Sequence, residues 1–316
     1  MPIPFYPHRS VLLEEVIEAF QPVQLKVFID GTLGAGGHAE AILEHHPEIE
    51  LYLGIDQDPN ALNIANKRLE KWKQKILLKQ GNFSQFDIFL KEIGFSSMDG
   101  LLVDLGVSSM QLDQPERGFS FSKDGPLDMR MNPEGKLTAA DIVNTWSEND
   151  LGKIFRDYGE EKKWRLAART IVQARQVKQI LTTTDLANLL KPAFAWNPKK
   201  GINPLTLIFQ ALRICVNREL DVLEQLVSKT FDYLKPGGRV AVISFHSLED
   251  RIVKNELRLA ASDKWETTGL GSGLFRDKKP VAKLVNRKPI CPHEKEIKEN
   301  PRSRSAKFRI AEKLEG

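Results

Sequence analysis

The stretch FIDGTLGAGGHAEAIL, from Phe28 to Leu43, places four glycines within seven residues, directly after a short apolar run that ends in an acid. The apolar run predicts a buried β-strand, and HAEAILEHH predicts the helix that follows it. Gly34, Gly36 and Ala39 fit the dinucleotide-binding pattern G-x-G-x-x-A, in which glycines let the backbone approach a ligand closely. The stretch therefore predicts a strand–loop–helix unit with a ligand at its loop, although a tight turn that binds nothing has the same spacing.

Further apolar runs alternate with helical patterns along the chain. LYLGID, ILLKQGNF and DGLLVDLG are predicted strands, and RVAVISFH is another, after a Pro-Gly-Gly turn at Pro236. Continuous apolar strands separated by helices are typical of a parallel sheet covered on both faces, as in α/β folds. The run LTLIFQALRICVNRELDVLEQLVSKTFDYL predicts one long helical stretch, and AKFRIAEKL predicts an edge strand.

The alternation stops between Gln114 and about Asn203. The segment ERGFSFSKDGPLDMRMNPEG is rich in Gly, Pro and Asp and predicts a long ordered loop, a kind of segment that often has a function. Four helical patterns follow it. Arg117 and Arg130 in the loop are candidates for phosphate contacts or for salt bridges that staple the loop.

The simplest architecture is one α/β domain interrupted by an insertion. We expect a discontinuous domain of residues 1–112 and 205–316, and an inserted loop and helical domain of residues 113–204 that recognises substrate. The length of 316 residues and the 41% hydrophobic composition suit one large domain or two smaller ones.

Cysteine content and hydropathy set the expected environment. Cys215 and Cys291 are far apart and form no CxxC pair, so the sequence supports neither a disulfide framework nor a zinc site. The N-terminal residues lack an apolar signal segment, and no run reaches the roughly 18 apolar residues of a membrane span. We therefore expect a cytoplasmic protein without a metal centre, and the sequence leaves its oligomeric state open.

Positive charge is concentrated in two blocks, although the net charge is only +4. Residues 276–316 hold 13 Lys and Arg against 6 Asp and Glu, and residues 162–178 hold six Lys and Arg and no acid. Each block alone has the ordinary interpretation of a solvated face or tail. Together they favour a polyanionic partner such as RNA.

Three acids stand at the predicted carboxyl ends of strands, where sheets of this kind bind ligands. Asp30 ends the first strand, Asp56 the second and Asp104 the fourth. Asp30 would repel the pyrophosphate of NAD. S-adenosylmethionine instead carries a sulfonium, an ammonium and a ribose diol, which suit carboxylates, and Asp56 is placed to accept from the ribose hydroxyls. The charges thus favour S-adenosylmethionine, while helix or turn capping remains the alternative role for Asp56 and Asp104.

Several longer motifs are more specific than the glycine loop. HRSVLLEEV, DGTLGAGGHA, GIDQDPNAL, VDLGVSSMQLDQPERGFSFSKDGPLDMRMNP, SFHSLEDRIVK and NPRSRSAKFR together resemble the bacterial ribosomal RNA small subunit methyltransferase H family, also called MraW. The resemblance covers nearly the whole chain, from near His8 to near Ile310. It implies a class I S-adenosylmethionine-dependent methyltransferase with a Rossmann-like sheet and an inserted helical domain.

The resemblance also implies an activity and a set of binding residues. The family methylates N4 of a cytosine in the decoding region of 16S rRNA, and the sequence leaves open whether free RNA or the small ribosomal subunit is the substrate. Without the family, Phe83 would be core packing and Gln111 and His38 ordinary loop and helix-start residues. The cofactor-binding positions that match here are Gly36, Gly37, His38, Asp56, Phe83, Asp104 and Gln111.

The acceptor side of the site is expected behind the fourth and last parallel strands. Asp104 and the loop GVSS, including Ser108, are candidates to accept protons of the cytosine amine, as a developing positive charge requires. Phe245 could stack on a flipped base, and His246 could hydrogen-bond the base or take a proton. A strand-end packing pair is the alternative for Phe245 and His246.

Other classes of protein remain in competition. DNA amino-methyltransferases typically carry a D/N/S-P-P-Y/W loop after the fourth strand, where this chain has DLGVSS. An NAD-dependent oxidoreductase is disfavoured by Asp30, and a non-catalytic RNA-binding protein would keep only the fold. Methylation of a pyrimidine carbon needs a cysteine thiolate, and neither cysteine follows the fourth strand, which favours nitrogen as the acceptor.

Overall fold

A computed structural model of the chain describes residues 10–194, 196, 202–263 and 278–315. The chain divides into two compact units, Met1–Gly106 with Leu220–Gly316, and Val107–Glu219. Among the residues described, no helix has both the length and the apolar character needed to cross a membrane.

Strands and helices alternate in the first unit, and the second unit is helical. In chain order the elements are α1 (Leu13–Phe20), β1 (Val27–Asp30), α2 (Gly37–His45), β2 (Leu51–Asp56), α3 (Pro59–Arg68), β3 (Ile76–Gln80), α4 (Phe86–Glu92), β4 (Met98–Asp104), α5 (Ser109–Asp113), α6 (Ala139–Thr145), α7 (Glu148–Asp157), α8 (Trp164–Arg175), α9 (Thr183–Leu190), α10 (Pro204–Asn217), α11 (Glu219–Tyr233), β5 (Leu234–Ser244), α12 (Ser247–Ala260), β6 (Ala282–Leu284), α13 (Glu294–Glu299) and β7 (Lys307–Lys313).

The described strands form a seven-stranded sheet in the order β3-β2-β1-β4-β5-β7-β6. Strands β1 to β5 pair in parallel, which confirms the predicted parallel sheet, and β7 runs antiparallel to both β5 and β6. The prediction that AKFRIAEKL is an edge strand is wrong, because β6 pairs outside it. With three residues, β6 is too short for its apolar pattern to be recognised in the sequence.

Alternation of side chains along the strands explains why their apolar runs are continuous. Ile29 and Val103 point into one hydrophobic cluster, whereas their neighbours Phe28 and Leu102 point into another on the opposite face. All four residues of β1 are buried. The strands are therefore apolar on both faces of the sheet. Their carboxyl ends carry the predicted site acids Asp30, Asp56 and Asp104.

The second unit has a hydrophobic core of its own, to which helices α6 to α10 contribute. Helix α10, which the sequence analysis assigned to the α/β domain, packs with this unit. It also secures the long loop: the Asn217 side-chain oxygen accepts from the amide of Met131, and its side-chain nitrogen donates to the carbonyl of Met129, both at 2.8 Å. Met129 has a left-handed φ of 64° and is buried, so these contacts hold a non-glycine residue in a costly conformation.

The two arginines of the long loop staple it. Arg117 donates to the carbonyls of Arg130 and Met131 at 2.9 and 3.0 Å. Arg130 pairs with Asp128, with its Nε 2.8 Å from Oδ1, and also donates to the carbonyl of Gly135. Of the two interpretations that the sequence left open, these contacts favour stapling over phosphate binding.

The predicted single helical stretch after residue 204 is two helices. Arg218 has a φ of 52° and ends α10 in the left-handed conformation, after which α11 begins at Glu219. Arg213 holds the break by a bidentate pair with Glu219, with both N–O distances 2.9 Å. An arginine at a left-handed helix end lacks the usual glycine signal, so the pattern did not indicate the break.

Candidate cofactor and active site

The loop between β1 and α2 uses its glycines for two different reasons. Gly34 and Gly36 have φ values of 56° and 79°, a region that favours glycine, and Gly36 caps the start of α2. A Cβ added to Gly37 would lie 2.2 Å from the hydroxyl of Ser10. The loop therefore presents backbone rather than side chains at the carboxyl end of β1.

Asp56, at the end of β2, is bonded to this loop. Its carboxylate accepts from the amide of Gly34 and from the amide of Asp58, both at 2.8 Å. Burial raises the pKa of Asp56 from 3.8 to about 6, although these backbone hydrogen bonds oppose the rise. The predicted binding residue thus also shapes the glycine loop, as the capping alternative proposed.

Asp30, at the end of β1, is more deeply enclosed. It accepts from the hydroxyl of Tyr52 at 3.0 Å and from the amide of Thr32 at 3.1 Å. Burial raises the pKa of Asp30 to about 7, and the charge of Asp56 adds to the rise. A second anion such as a pyrophosphate would meet this buried acid at the loop, in agreement with the argument against NAD.

Asp104, at the end of β4, has one carboxylate oxygen without a partner. Oδ1 is buried and makes no hydrogen bond to any described residue. Oδ2 lies 3.8 Å from Nδ1 of His38, whose Nε2 is 2.9 Å from the carbonyl of Val11. Burial, followed by the charges of Asp30 and Glu249, raises the pKa of Asp104 well above its usual value. An orphaned acceptor in this position is suited to a donor or a cation supplied by a ligand.

Phe83 lies in a short 3-10 turn after β3 and is 8% exposed. Phe83 belongs to the hydrophobic cluster on one face of the sheet. A Cβ added to Gly31 would lie 3.0 Å from the Cβ of Phe83. The residue is therefore core packing that borders the β1 end, and an apolar wall for an adenine remains a prediction.

Ser108 and Gln111 belong to the second unit and form a capping box at the start of α5. The Ser108 hydroxyl accepts from the amide of Gln111 at 3.2 Å, and the Gln111 side chain accepts from the amide of Ser108 at 3.1 Å. This reciprocal arrangement satisfies two amides that a helix start would otherwise leave unpaired. The contacts give both side chains a structural role beside the functional ones predicted for them.

Phe245 and His246 follow β5, the neighbour of β4 in the sheet. Strand pairing sets Asp104 beside Ile243, and a Cβ on Gly106 would be 3.6 Å from the ring of Phe245. His246 caps α12, where its Nδ1 accepts from the amide of Glu249 at 3.4 Å. The same strand end thus carries both predicted residues next to Asp104.

Glu249 is a site residue that the sequence analysis missed. It is 2% exposed, and its Oε2 accepts from the amides of Phe245 and His246 at 2.8 and 3.2 Å. A signal was present in HSLE, because Glu three residues after a cap is the capping-box spacing. Thr32 was also missed: its hydroxyl accepts from the amide of Asp104 at 2.6 Å and so ties β4 to the glycine loop.

The strand ends together form an acidic site with little solvation. Asp30, Asp56 and Asp104 end neighbouring strands, and burial raises the pKa of all three carboxyls. The charge of Asp56 adds to the rise at Asp30, and the charge of Asp30 adds to the rise at Asp104. A cationic ligand would relieve both effects. The glycine loop and these charges fit the sulfonium and ammonium of S-adenosylmethionine, and the unpartnered oxygen of Asp104 is open to a further hydrogen-bond donor.

The two basic blocks differ in how many of their charges are committed within the fold. On α8, Arg165 and Arg169 are exposed and form no ion pair with any described acid. The same is true of Lys162, just before the helix. Arg165 lies 3.9 Å from the ring centre of Trp164. In the C-terminal block, by contrast, Lys307 and Arg309 both pair with Asp250, at 3.2 and 2.7 Å.

The parallel sheet with one reversed strand and an acidic ligand site at its carboxyl ends defines a class I S-adenosylmethionine-dependent methyltransferase. Residues 5–314 match the family described as the MraW methylase family, and the chain belongs to that family. Its cofactor is S-adenosylmethionine.

Two curated relatives carry the name ribosomal RNA small subunit methyltransferase H. The protein of Heliobacterium mobile is 45% identical over 312 residues, which cover 97% of this chain and 99% of that protein. The protein of Chlamydia trachomatis serovar D is 46% identical over 309 residues, 97% of each. Among solved structures, an rRNA methylase from Streptococcus thermophilus is 10% identical with a TM-score of 0.42, covering 96% of this chain and 94% of that one. The family assignment rests on the sequence relatives.

Proposed function

We propose that this chain transfers a methyl group from S-adenosylmethionine to N4 of a cytosine in the decoding region of 16S rRNA. The names of the relatives support ribosomal RNA of the small subunit as the substrate. The observation that carries the choice of an amine acceptor is the buried, unpartnered Oδ1 of Asp104 at the end of β4. An amine can donate a hydrogen bond to such an oxygen, whereas the C–H of a ring carbon is a poor hydrogen-bond donor.

The proposed cofactor residues divide into two groups by the support they have. Geometry supports Gly36, Gly37 and Asp56, which form the glycine loop or are bonded to it, and Asp104, whose carboxylate ends a neighbouring strand. Phe83, His38 and Gln111 enter through the family resemblance, since their described contacts are structural. When bound, S-adenosylmethionine supplies the electrophilic methyl group and a positive charge that the acids of the site would offset.

The residues of the chain then position the acceptor. Oδ1 of Asp104 accepts a hydrogen bond from the N4 amine, which favours a pyramidal nitrogen and stabilises the positive charge that develops on it, and it takes this proton once the methylated nitrogen releases it. The amine lone pair is otherwise delocalised into the ring, so this orientation matters for an in-line attack. Phe245 provides a face on which a base taken out of its RNA stack can lie. Ser108 stays a predicted acceptor because it follows β4 in the chain.

The cysteines support nitrogen over carbon 5. Cys215 is half-buried and packs against the core of the second unit. Cys291 follows the bridge between Ile290 and Phe308, so β5 and β7 lie between it and β4. Three steps of about 4.8 Å across a sheet put roughly 14 Å between that position and Asp104. A thiolate there would not reach carbon 6 of a base at the β4 end.

Mass spectrometry of nucleosides from small-subunit rRNA tests this function. Cells that lack the gene should lose N4-methylcytidine, and wild-type protein should restore it. Asp104→Ala should not restore it, while Glu50→Gln, a change at an exposed acid that pairs with Lys26 at 3.1 Å, serves as the matched control. An unchanged nucleoside profile in the deletion strain, or loss of 5-methylcytidine instead, would refute the proposal.

A further inference from the structure

The neutral ring of His246 is held in one tautomer by its position at the start of α12. Nδ1 faces the amide of Glu249 at 3.4 Å. An amide has only a proton to give, so Nδ1 must present its lone pair. In the neutral ring the proton is therefore on Nε2.

The carboxylate of Glu249 favours the same form. Its Oε1 lies 3.1 Å from Nε2 of His246, in a geometry that makes no hydrogen bond. An unprotonated Nε2 would set a lone pair against this oxygen, whereas an N–H is attracted to it. Oε2 is meanwhile fixed by the amides of Phe245 and His246. The side chain of His246 thus carries a fixed donor.

This donor makes no hydrogen bond in the part of the chain that the structure describes, although Oε1 of Glu249 lies 3.1 Å from it. The His246 side chain is 10% exposed, and its Nε2 and Oδ1 of Asp104 are the two buried side-chain atoms found there without a hydrogen bond. One is a donor and the other an acceptor, on neighbouring strand ends. Buried polar atoms without partners are rare in folded proteins, and a complementary pair of them points to a ligand with the opposite pattern.

Cytosine has that pattern and uracil does not. Its N4 amine donates and the adjacent N3 accepts, whereas O4 of uracil accepts and its N3 donates. We propose that His246 distinguishes cytosine from uracil by donating its Nε2–H to N3 of the target base, next to the Asp104 oxygen that accepts from N4. This inference rests on the proposed N4 methylation. It also makes His246 a reader of the base that keeps its proton, and not the acceptor of the proton that N4 loses.

A matched pair of substitutions isolates the donor. His246→Asp and His246→Asn both keep an oxygen that can cap α12. Only the asparagine also keeps an N–H. Methylation is measured on small-subunit rRNA with either cytidine or 3-deazacytidine at the target position, since 3-deazacytidine has a C–H in place of N3 and retains the amine.

The wild-type enzyme should lose about tenfold to a hundredfold in kcat/KM on the 3-deazacytidine RNA, the scale of one hydrogen bond in a site of this kind. His246→Asp should methylate both RNAs at nearly equal, reduced rates, and His246→Asn should retain part of the difference. Thermal unfolding and S-adenosylmethionine affinity should change little in both variants, which separates base reading from capping.

Three results would overturn the inference. They are equal wild-type rates on the two RNAs, an undiminished difference in His246→Asp, and a limb of the kcat/KM pH profile that is present in the wild type and absent in His246→Asn. The last would show that His246 takes a proton. If the wild type forms N4-methylcytidine on the natural RNA but methylates the cytidine and 3-deazacytidine RNAs at equal rates, only the proposed reading of N3 by His246 fails. If it forms no N4-methylcytidine on the natural RNA, the proposed function fails.

Discussion

The amide of Gly34 donates to the carboxylate of Asp56 at 2.8 Å, so the acid at the end of β2 fixes the loop that follows β1. The two features that the sequence indicates separately, a glycine loop and a strand-end acid, are thus one hydrogen-bonded structure. A ligand that contacts the loop backbone is necessarily close to this carboxylate.

Asp56→Ala should weaken S-adenosylmethionine binding by about 1–3 kcal/mol, the scale for a lost hydrogen bond to a charged group. The loop also loses the acceptor for Gly34, so calorimetry should be done well below the unfolding temperature. Glu50→Gln removes an exposed charge directly before β2, and this variant should bind S-adenosylmethionine normally. Unaltered affinity in Asp56→Ala would remove Asp56 from the site.

Asp30 should make the protein less stable as pH rises. Its pKa is raised from 3.8 to about 7 in the folded state, so the fold binds this proton more tightly than the unfolded chain does. The resulting stabilisation is complete below about pH 4 and is lost as pH rises through about 7. Asp30→Asn keeps an oxygen that can accept from the amide of Thr32, and its side-chain NH2 can donate to the hydroxyl of Tyr52, without titrating. Its free energy of unfolding in urea should therefore fall less between pH 5 and 8 than that of the wild type. An equal fall in both proteins would contradict the raised pKa.

The cofactor should stabilise the protein more at pH 8 than at pH 5.5. The acids at the strand ends are ionised at the higher pH, because the pKa values of Asp30 and Asp56 are about 7 and 6, and a cationic ligand offsets their repulsion. The measurement is the rise in unfolding temperature at saturating S-adenosylmethionine. A larger rise at pH 5.5 would show that the ligand does not rely on these charges.

Charge reversal on α8 should weaken RNA binding and leave cofactor binding unchanged. Arg165→Glu with Arg169→Glu should lower the slope of log affinity against log salt by roughly 1.4–1.8, since each of the two lost phosphate contacts counts about 0.7–0.9. Lys153→Glu with Arg156→Glu is the matched control, because these exposed residues already pair with Asp150 and Asp157.

The C-terminal block offers an independent test of the same idea. Arg302 and Arg304 are exposed in the turn before β7, so changing both to Glu should lower RNA affinity without unfolding the strand. Wild-type RNA binding that is equal at 50 and 200 mM salt would contradict a polyanionic partner altogether.

The double variant Cys215→Ser, Cys291→Ser should retain turnover, apart from a packing loss at Cys215. Its product should be N4-methylcytidine, because transfer to an exocyclic amine needs no thiolate. Nucleoside analysis by mass spectrometry checks both points. A folded but inactive double variant would mean that a cysteine attacks the base.

The sequence predicted the parts of this molecule that local physics determines. The buried runs of β1 and β4 could be identified because both faces of a parallel strand are apolar, and their terminal acids because the apolar run ends there. Tertiary context decided the rest. The pattern could not show that Lys307 and Arg309, in a basic block, are paired with Asp250, or that Arg218 would end a helix in a left-handed conformation.

The site was predictable as a set of strand ends but not as a set of contacts. Asp30, Asp56 and Asp104 could be predicted as site residues because each ends a strand of the predicted parallel sheet. The role of Glu249 depends on a backbone turn that returns its side chain to Phe245 and His246, and the double use of Ser108 and Gln111 depends on where α5 begins. Such contacts are set by backbone geometry of a few residues, which spacing alone does not specify.

The interruption of the sheet has a consequence for synthesis on the ribosome. Strand β4 ends at Asp104, but the strand that covers its outer edge begins only at Leu234, after the whole of Val107–Glu219. The helical unit is contiguous in the chain and can fold first. Until β5 is synthesised, one edge of β4 is unpaired, and such edges promote mispairing. We expect stalled nascent chains to gain protease resistance in the inserted segment before the sheet, and resistance that appears first in β1 to β4 would contradict this order.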